Sequence, residues 1–107
     1  MREAINLPGH TISYYSDIVR TRGTHVFLSG FIGTRPDGSM GADISEQTEL
    51  ALQNMKAALG AASSSVDNVA KIVVYLTKYE DYKEFNEVYK RHFGNMPPAR
   101  TCIFVNL

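Results

Sequence analysis

The 107-residue sequence predicts an α+β fold of order ββαβαβ, with two helices packed on one face of a mainly antiparallel sheet. Two observations carry this expectation. Apolar residues recur near a 3.6 period over 43–62 and again over 77–93, as amphipathic helices require. Short runs rich in β-branched and aromatic residues precede, separate and follow those two stretches.

The elements follow in order. Thr11 to Val19 carries β-formers, and Thr21-Arg22-Gly23-Thr24 supplies a turn before the strand His25-Val26-Phe27-Leu28-Ser29. Thr34-Arg35-Pro36-Asp37-Gly38-Ser39 is a turn in which Pro presets φ and Gly accepts a positive one. Asp43-Ile44-Ser45-Glu46 has capping-box spacing and opens a helix whose apolar face is Leu50, Met55, Ala58, Leu59 and Ala62. Ser63-Ser64-Ser65 ends it. The nearly unbroken apolar run from Val69 to Leu76 predicts a central strand. Thr77 and Glu80 offer a second capping box, ahead of a stripe made by Tyr82, Phe85, Val88, Tyr89 and Phe93. Gly94 stops that helix, and Pro97-Pro98 forbids its resumption. Thr101 to Val105 reads as the last strand.

Composition bounds the function. One domain over 1–107 is expected at this length. Eleven basic residues balance eleven acidic ones with no run of like charge, which argues against a nucleic-acid partner. Cys102 is the only cysteine, so no internal disulfide can form. With no secretory h-region and no long apolar run, a cytoplasmic location and no membrane partner are expected. Phosphate-cradling loops, paired Cys or His at metal spacing and nucleophile elbows are all missing, so neither a metal nor a cofactor is expected. The histidines, His10, His25 and His92, lie far apart in sequence. Arg100 stands out. It follows the stiff Pro97-Pro98-Ala99 and opens an apolar strand, a placement suited to two-pronged binding of a carboxylate. From pattern alone, a solvated or ion-paired arginine is the competing explanation.

Several segments together resemble the RidA/YjgF family, also described as endoribonuclease L-PSP. They are Tyr15-Ser16, Val26-Phe27-Leu28-Ser29-Gly30, Gln47-Thr48, Asn54-Met55-Lys56-Ala57-Ala58-Leu59, Val69-Ala70-Lys71, Phe85-Asn86-Glu87-Val88-Tyr89 and Pro98-Ala99-Arg100-Thr101-Cys102. The resemblance implies a chorismate-mutase-like fold, a homotrimer, and clefts between subunits. It also implies hydrolytic deamination of reactive 2-imino or enamine acids to 2-keto acids and ammonia. Carried over by position, Arg100 clamps the substrate carboxylate as the catalytic residue, and Tyr15, Gly30, Phe31, Asn86 and Cys102 line the substrate pocket.

Two departures qualify the expected chemistry. Phe31 and Asp17 stand where the family usually has glutamine, so one cleft wall is greasier. Relatives also continue past the position of Leu107 into a strand whose glutamate is thought to position the attacking water. Asp17 is the one substitute the sequence offers. Two other readings remain: a non-catalytic trimer that binds a small carboxylate metabolite or a protein partner, and an endoribonuclease or translation inhibitor.

Overall fold

The computed structural model describes residues 2–13, 15–21 and 25–106. Five strands and two helices run in the order β1 (Arg2–Ile5), β2 (Ile18–Thr21), β3 (Val26–Leu28), α1 (Ile44–Ala61), β4 (Lys71–Leu76), α2 (Tyr82–Lys90) and β5 (Ala99–Phe104). The α+β class expected from the sequence holds, with one strand more at the N-terminus.

Strands β1, β2 and β3 form an antiparallel meander, with Ile5 opposite Ile18 and Ile18 opposite Leu28. The expected strand over 11–19 is mostly irregular chain and becomes regular only at Ile18, where β1 supplies a partner. β-propensity needs such a partner to act on. The turn expected at 21–24 falls, at 22–24, outside the described residues. β4 and β5 pair in parallel, placing Ile72 beside Arg100 and Val74 beside Cys102.

Both helices begin and end for local reasons. Asp43 caps α1 by accepting the Glu46 N–H at 2.9 Å, while the Glu46 carboxylate accepts the Ala42 N–H at 2.6 Å. At the other end Ser63 takes a left-handed φ of 59°. Its N–H bonds the Gly60 carbonyl, and the Ser64 N–H bonds that of Leu59, the paired contacts of a Schellman motif. The capping box expected at Thr77 and Glu80 does not form. A 3₁₀ turn over Tyr79–Asp81 intervenes, so α2 starts at Tyr82. It ends at Lys90, and the following turns pass through Gly94 at φ 59°.

The core explains why the helices lie where they do. Leu52, Met55 and Leu59 of α1 meet Leu76 of β4 and Phe85, Tyr89 and Phe93 around α2. Burying each such side chain contributes about 1.5–3 kcal/mol. A second cluster joins Ala58 and Ala62 to Ile18, with Ile5, Val26 and Leu28 packed on it. α1 therefore bridges the meander and the parallel pair. The loop between β3 and α1 is drawn onto the first turns of α1. The Asn54 side chain donates to the Ile32 and Thr34 carbonyls at 3.1 Å, and Gln47 donates to that of Gly41 at 3.0 Å. Contact is so close at Gly33 that a Cβ there would lie 2.5 Å from the Gln47 backbone. The turn at 34–39 forms as expected, with Gly38 at φ 91° and Asp37 accepting from the Ser39 N–H. The Ser39 hydrogen bonds hold the Asp37 carboxyl below its ordinary value.

The outer sheet faces carry apolar side chains. Val73 and Tyr75 of β4 point away from the helices and are 46% and 60% exposed, while Ile72, Val74 and Leu76 turn inward. Phe27 and Ile103 are exposed as well.

Candidate functional site

Parallel pairing with β4 fixes the start of β5, and the alternation of β5 turns Arg100 and Cys102 inward. The helical spacing of Tyr82, Phe85 and Tyr89 places three rings along one face of α2. The Arg100 guanidinium lies among them, 4.8 Å from the Tyr89 ring centre, 5.5 Å from that of Phe85 and 5.8 Å from that of Tyr82. It donates to the Tyr82 hydroxyl at 3.1 Å. Among the described residues no carboxylate pairs with it.

Beside this arginine lies a hollow of about 290 Å³, lined by Asn86, Tyr89, Lys90, Phe93 and Arg100, and by Gly94, Pro97 and Pro98 of the following turn. The Tyr89 hydroxyl is buried and has no hydrogen-bond partner among the described residues. Burial pushes its phenol above the ordinary value, and the Arg100 charge opposes that rise. A partly buried cation that faces aromatic rings and has no carboxylate partner among the described residues suits a small anion with an apolar tail.

Of the residues singled out in the sequence, Arg100 and Asn86 meet at this hollow. Tyr15 does not. It lines a separate hollow of about 260 Å³ with Leu7, His10, Ile12 and Asp17. There the His10 and Tyr15 rings meet edge to face at 5.6 Å. His10 Nδ1 lies 2.9 Å from Asp17 Oδ2, and that oxygen accepts the Leu7 N–H at 2.9 Å. Gly30 lines neither hollow. It is exposed, and a Cβ there would meet open space, so no turn or close contact demands glycine. Phe31 packs against both core clusters, and the free thiol of Cys102 against the larger one.

The sequence counts Tyr82 and Tyr89 as an apolar stripe and misses them as neighbours of Arg100. Their hydroxyls, on the face that meets Arg100, were the available signal. His92 was likewise undistinguished, yet its Nε2 contacts the Glu49 carboxylate, tying the chain just past α2 to α1, while its buried Nδ1 has no partner among the described residues. No group of three His, Cys, Asp or Glu side chains suited to a metal occurs among the described residues. No helix there is long and apolar enough to cross a membrane.

Comparison with known proteins places this architecture. The family described as Endoribonuclease L-PSP matches residues 5–107. A RutC family protein of Pyrococcus abyssi is 36% identical over 97 residues, covering 89% of this chain and 76% of the relative. The mitochondrial protein Mmf1 of Saccharomyces cerevisiae is 41% identical over 81 residues, covering 75% of this chain. The match spans just over half, 56%, of the length of Mmf1. The crystal structure of yeast Mmf1 superposes with a TM-score of 0.89 at 33% identity, covering 98% of this chain and 86% of that one. That of Escherichia coli TdcF with bound serine gives 0.79 at 36% identity, covering 89% and 77%. The sequence segments, the helix and strand order and these superpositions agree: the chain belongs to the RidA/YjgF family, the one described as endoribonuclease L-PSP.

Proposed function

We propose that this protein binds small 2-imino and 2-keto acids through Arg100 and hydrolyses the imines to 2-keto acids and ammonia. The single observation that carries this reading is the guanidinium of Arg100, with no carboxylate partner among the described residues, lining a hollow with Asn86, Tyr89 and Phe93. TdcF of E. coli, 39% identical over 87 residues, is named as a reactive intermediate deaminase, and its crystal structure contains serine, itself a small carboxylate. In the mechanism, Arg100 fixes the carboxylate and so orients the adjacent imine carbon toward water. Orientation removes much of the entropic barrier. The imine is electrophilic already, so no covalent nucleophile is needed.

The site is completed between subunits in this reading. Tyr15 and Arg100 lie in separate hollows of one chain, so they act together only across copies. The exposed Phe27, Val73, Tyr75 and Ile103 supply the apolar face that a homotrimer covers. Sedimentation equilibrium should then show a trimer at micromolar concentration, and a stable monomer would refute it. A reducing compartment such as the cytoplasm suits the unpaired Cys102.

One observation favours a second reading. No side chain lining the Arg100 hollow is acidic, so within one chain nothing there activates water. A trimer that binds carboxylate metabolites without turning them over fits that fact. The deciding experiment generates 2-iminobutyrate with a threonine dehydratase and follows 2-ketobutyrate release. Acceleration by the parent and none by Arg100→Ala supports hydrolysis. Binding of 2-ketobutyrate without acceleration supports the second reading.

A further inference from the structure

We propose that His10, held by Asp17, is the proton-transfer group of this site, with Asp17 as its positioning residue. The inference rests on the carboxylate-binding reading above and supplies the base which the Arg100 hollow lacks. By position Asp17 is the one acid the sequence offers for holding water, but the structure gives its carboxylate other work. Oδ2 accepts the Leu7 N–H and faces His10 Nδ1, both at 2.9 Å. The unit available for chemistry is therefore the imidazole.

Three observations support that role. The contact with Asp17 engages Nδ1, so Nε2 is the nitrogen left for a proton, and it has no hydrogen-bond partner among the described residues. The pair is sheltered, with the His10 and Asp17 side chains 11% and 15% exposed, yet both line an open hollow. Holding the loop does not require a histidine. The Asp17 N–H bonds the Asn6 side chain at 3.0 Å, Asp17 accepts the Leu7 N–H, and the Asp17 carbonyl accepts the Ser29 N–H at 2.9 Å. Tyr15 lines the same hollow, and His10, Tyr15 and Asp17 are its titratable side chains. If Tyr15 of one copy faces the Arg100-bound carboxylate of another, His10 comes with it.

The chemistry balances without a further reagent. His10 Nε2 takes a proton from water as the oxygen bonds the imine carbon and the C=N pair moves onto nitrogen. The imidazolium returns that proton to nitrogen, giving the carbinolamine. His10 then takes the hydroxyl proton as C=O forms, and delivers it to the nitrogen, which leaves as ammonia when the C–N bond breaks. Asp17, 2.9 Å from Nδ1, stabilises the transient imidazolium by its charge.

The test uses the full chain in its native assembly. His10→Asn keeps an N–H donor toward Asp17 but cannot carry a proton. It should leave the affinity for 2-ketobutyrate within about twofold while kcat on 2-iminobutyrate falls about 10²–10⁴-fold, as loss of general-base help does. Its pH profile should lose the limb contributed by the imidazole. Asp17→Asn, which still accepts from Leu7, should lower kcat more than it alters KM. In ¹⁵N spectra of histidine-labelled parent, 2-ketobutyrate should move the His10 ring signals, and in Arg100→Ala it should not. Parental kcat and pH profile in His10→Asn would overturn the proposal, as would calorimetric binding that leaves the His10 signals unmoved; both leave the carboxylate reading standing. Absence of any 2-ketobutyrate binding by the parent would sink that reading and this proposal together.

Discussion

Replacing Tyr89 with phenylalanine should stabilise the protein, an unusual expectation for a residue in the middle of a core. The hydroxyl is buried with no partner among the described residues, and an uncompensated buried polar group costs about 1–3 kcal/mol. Phenylalanine removes that cost and keeps what the ring does. Its stacking on Phe85 and Phe93, at 5.5 Å and 4.6 Å, and its face toward Arg100 at 4.8 Å all survive. A gain near the low end, about 1 kcal/mol, raises the melting temperature of a domain this size by about 4 °C. The pH dependence gives an independent check. Burial raises the folded-state pKa of Tyr89 above the unfolded value of about 10. A group raised in this way contributes its stability below pH 10 and loses it as pH climbs through the folded value. Urea unfolding at fixed protein concentration should therefore show the parent weakening as pH rises above about 10, with a flatter Tyr89→Phe curve. A variant less stable than the parent at neutral pH would refute the reasoning, because the hydroxyl would then have a partner.

Further outcomes follow from other positions. Arg100→Ala and Arg100→Lys should both weaken 2-ketobutyrate binding, by about 10–100-fold for alanine and less for lysine, which keeps charge without the fork; calorimetry giving parental affinities would remove the clamp. Ser63→Gly should raise stability by about 0.5–1 kcal/mol in denaturant melts, since a left-handed residue other than glycine is strained there. Gly33→Ala should cost about 1–3 kcal/mol because its new methyl would press on the α1 backbone, and an unchanged melting temperature would show that the loop yields freely.

Both helices were legible in the sequence because an apolar stripe acts locally, and so does the cap of α1, whereas the cap expected for α2 does not form. Asp43 and the expected face of Met55, Ala58, Leu59 and Ala62 need no distant partner to be recognised, although Leu52 rather than the expected Leu50 is the buried leucine of that face. β1 was not legible. Arg2-Glu3-Ala4-Ile5 has a single large apolar residue, and its strand exists through pairing with β2. Conversely, β-formers at 11–17 suggested a strand where the chain instead serves the His10–Asp17 pair. The parallel partnership of β4 and β5 was hidden for a related reason: register across an intervening helix leaves no local mark. At the site, Arg100 was betrayed by the prolines before it. The pairing of His10 with Asp17 crosses irregular chain, where no period relates one position to the next.

The parallel pairing of β4 with β5 has a kinetic consequence. Arg100 reaches its aromatic setting only when Ala99–Phe104 has come back alongside Lys71–Leu76, across all of α2. The meander of β1 to β3 closes short loops, whereas this pairing must first meet the entropy of a longer closure. The order of assembly should therefore leave the hollow beside Arg100 among the last features to form during folding. Partial opening of β5 would abolish ligand binding while both helices persist. A bound carboxylate, by holding Arg100, would hold β5 shut, and hydrogen exchange along that strand should slow as ligand is added.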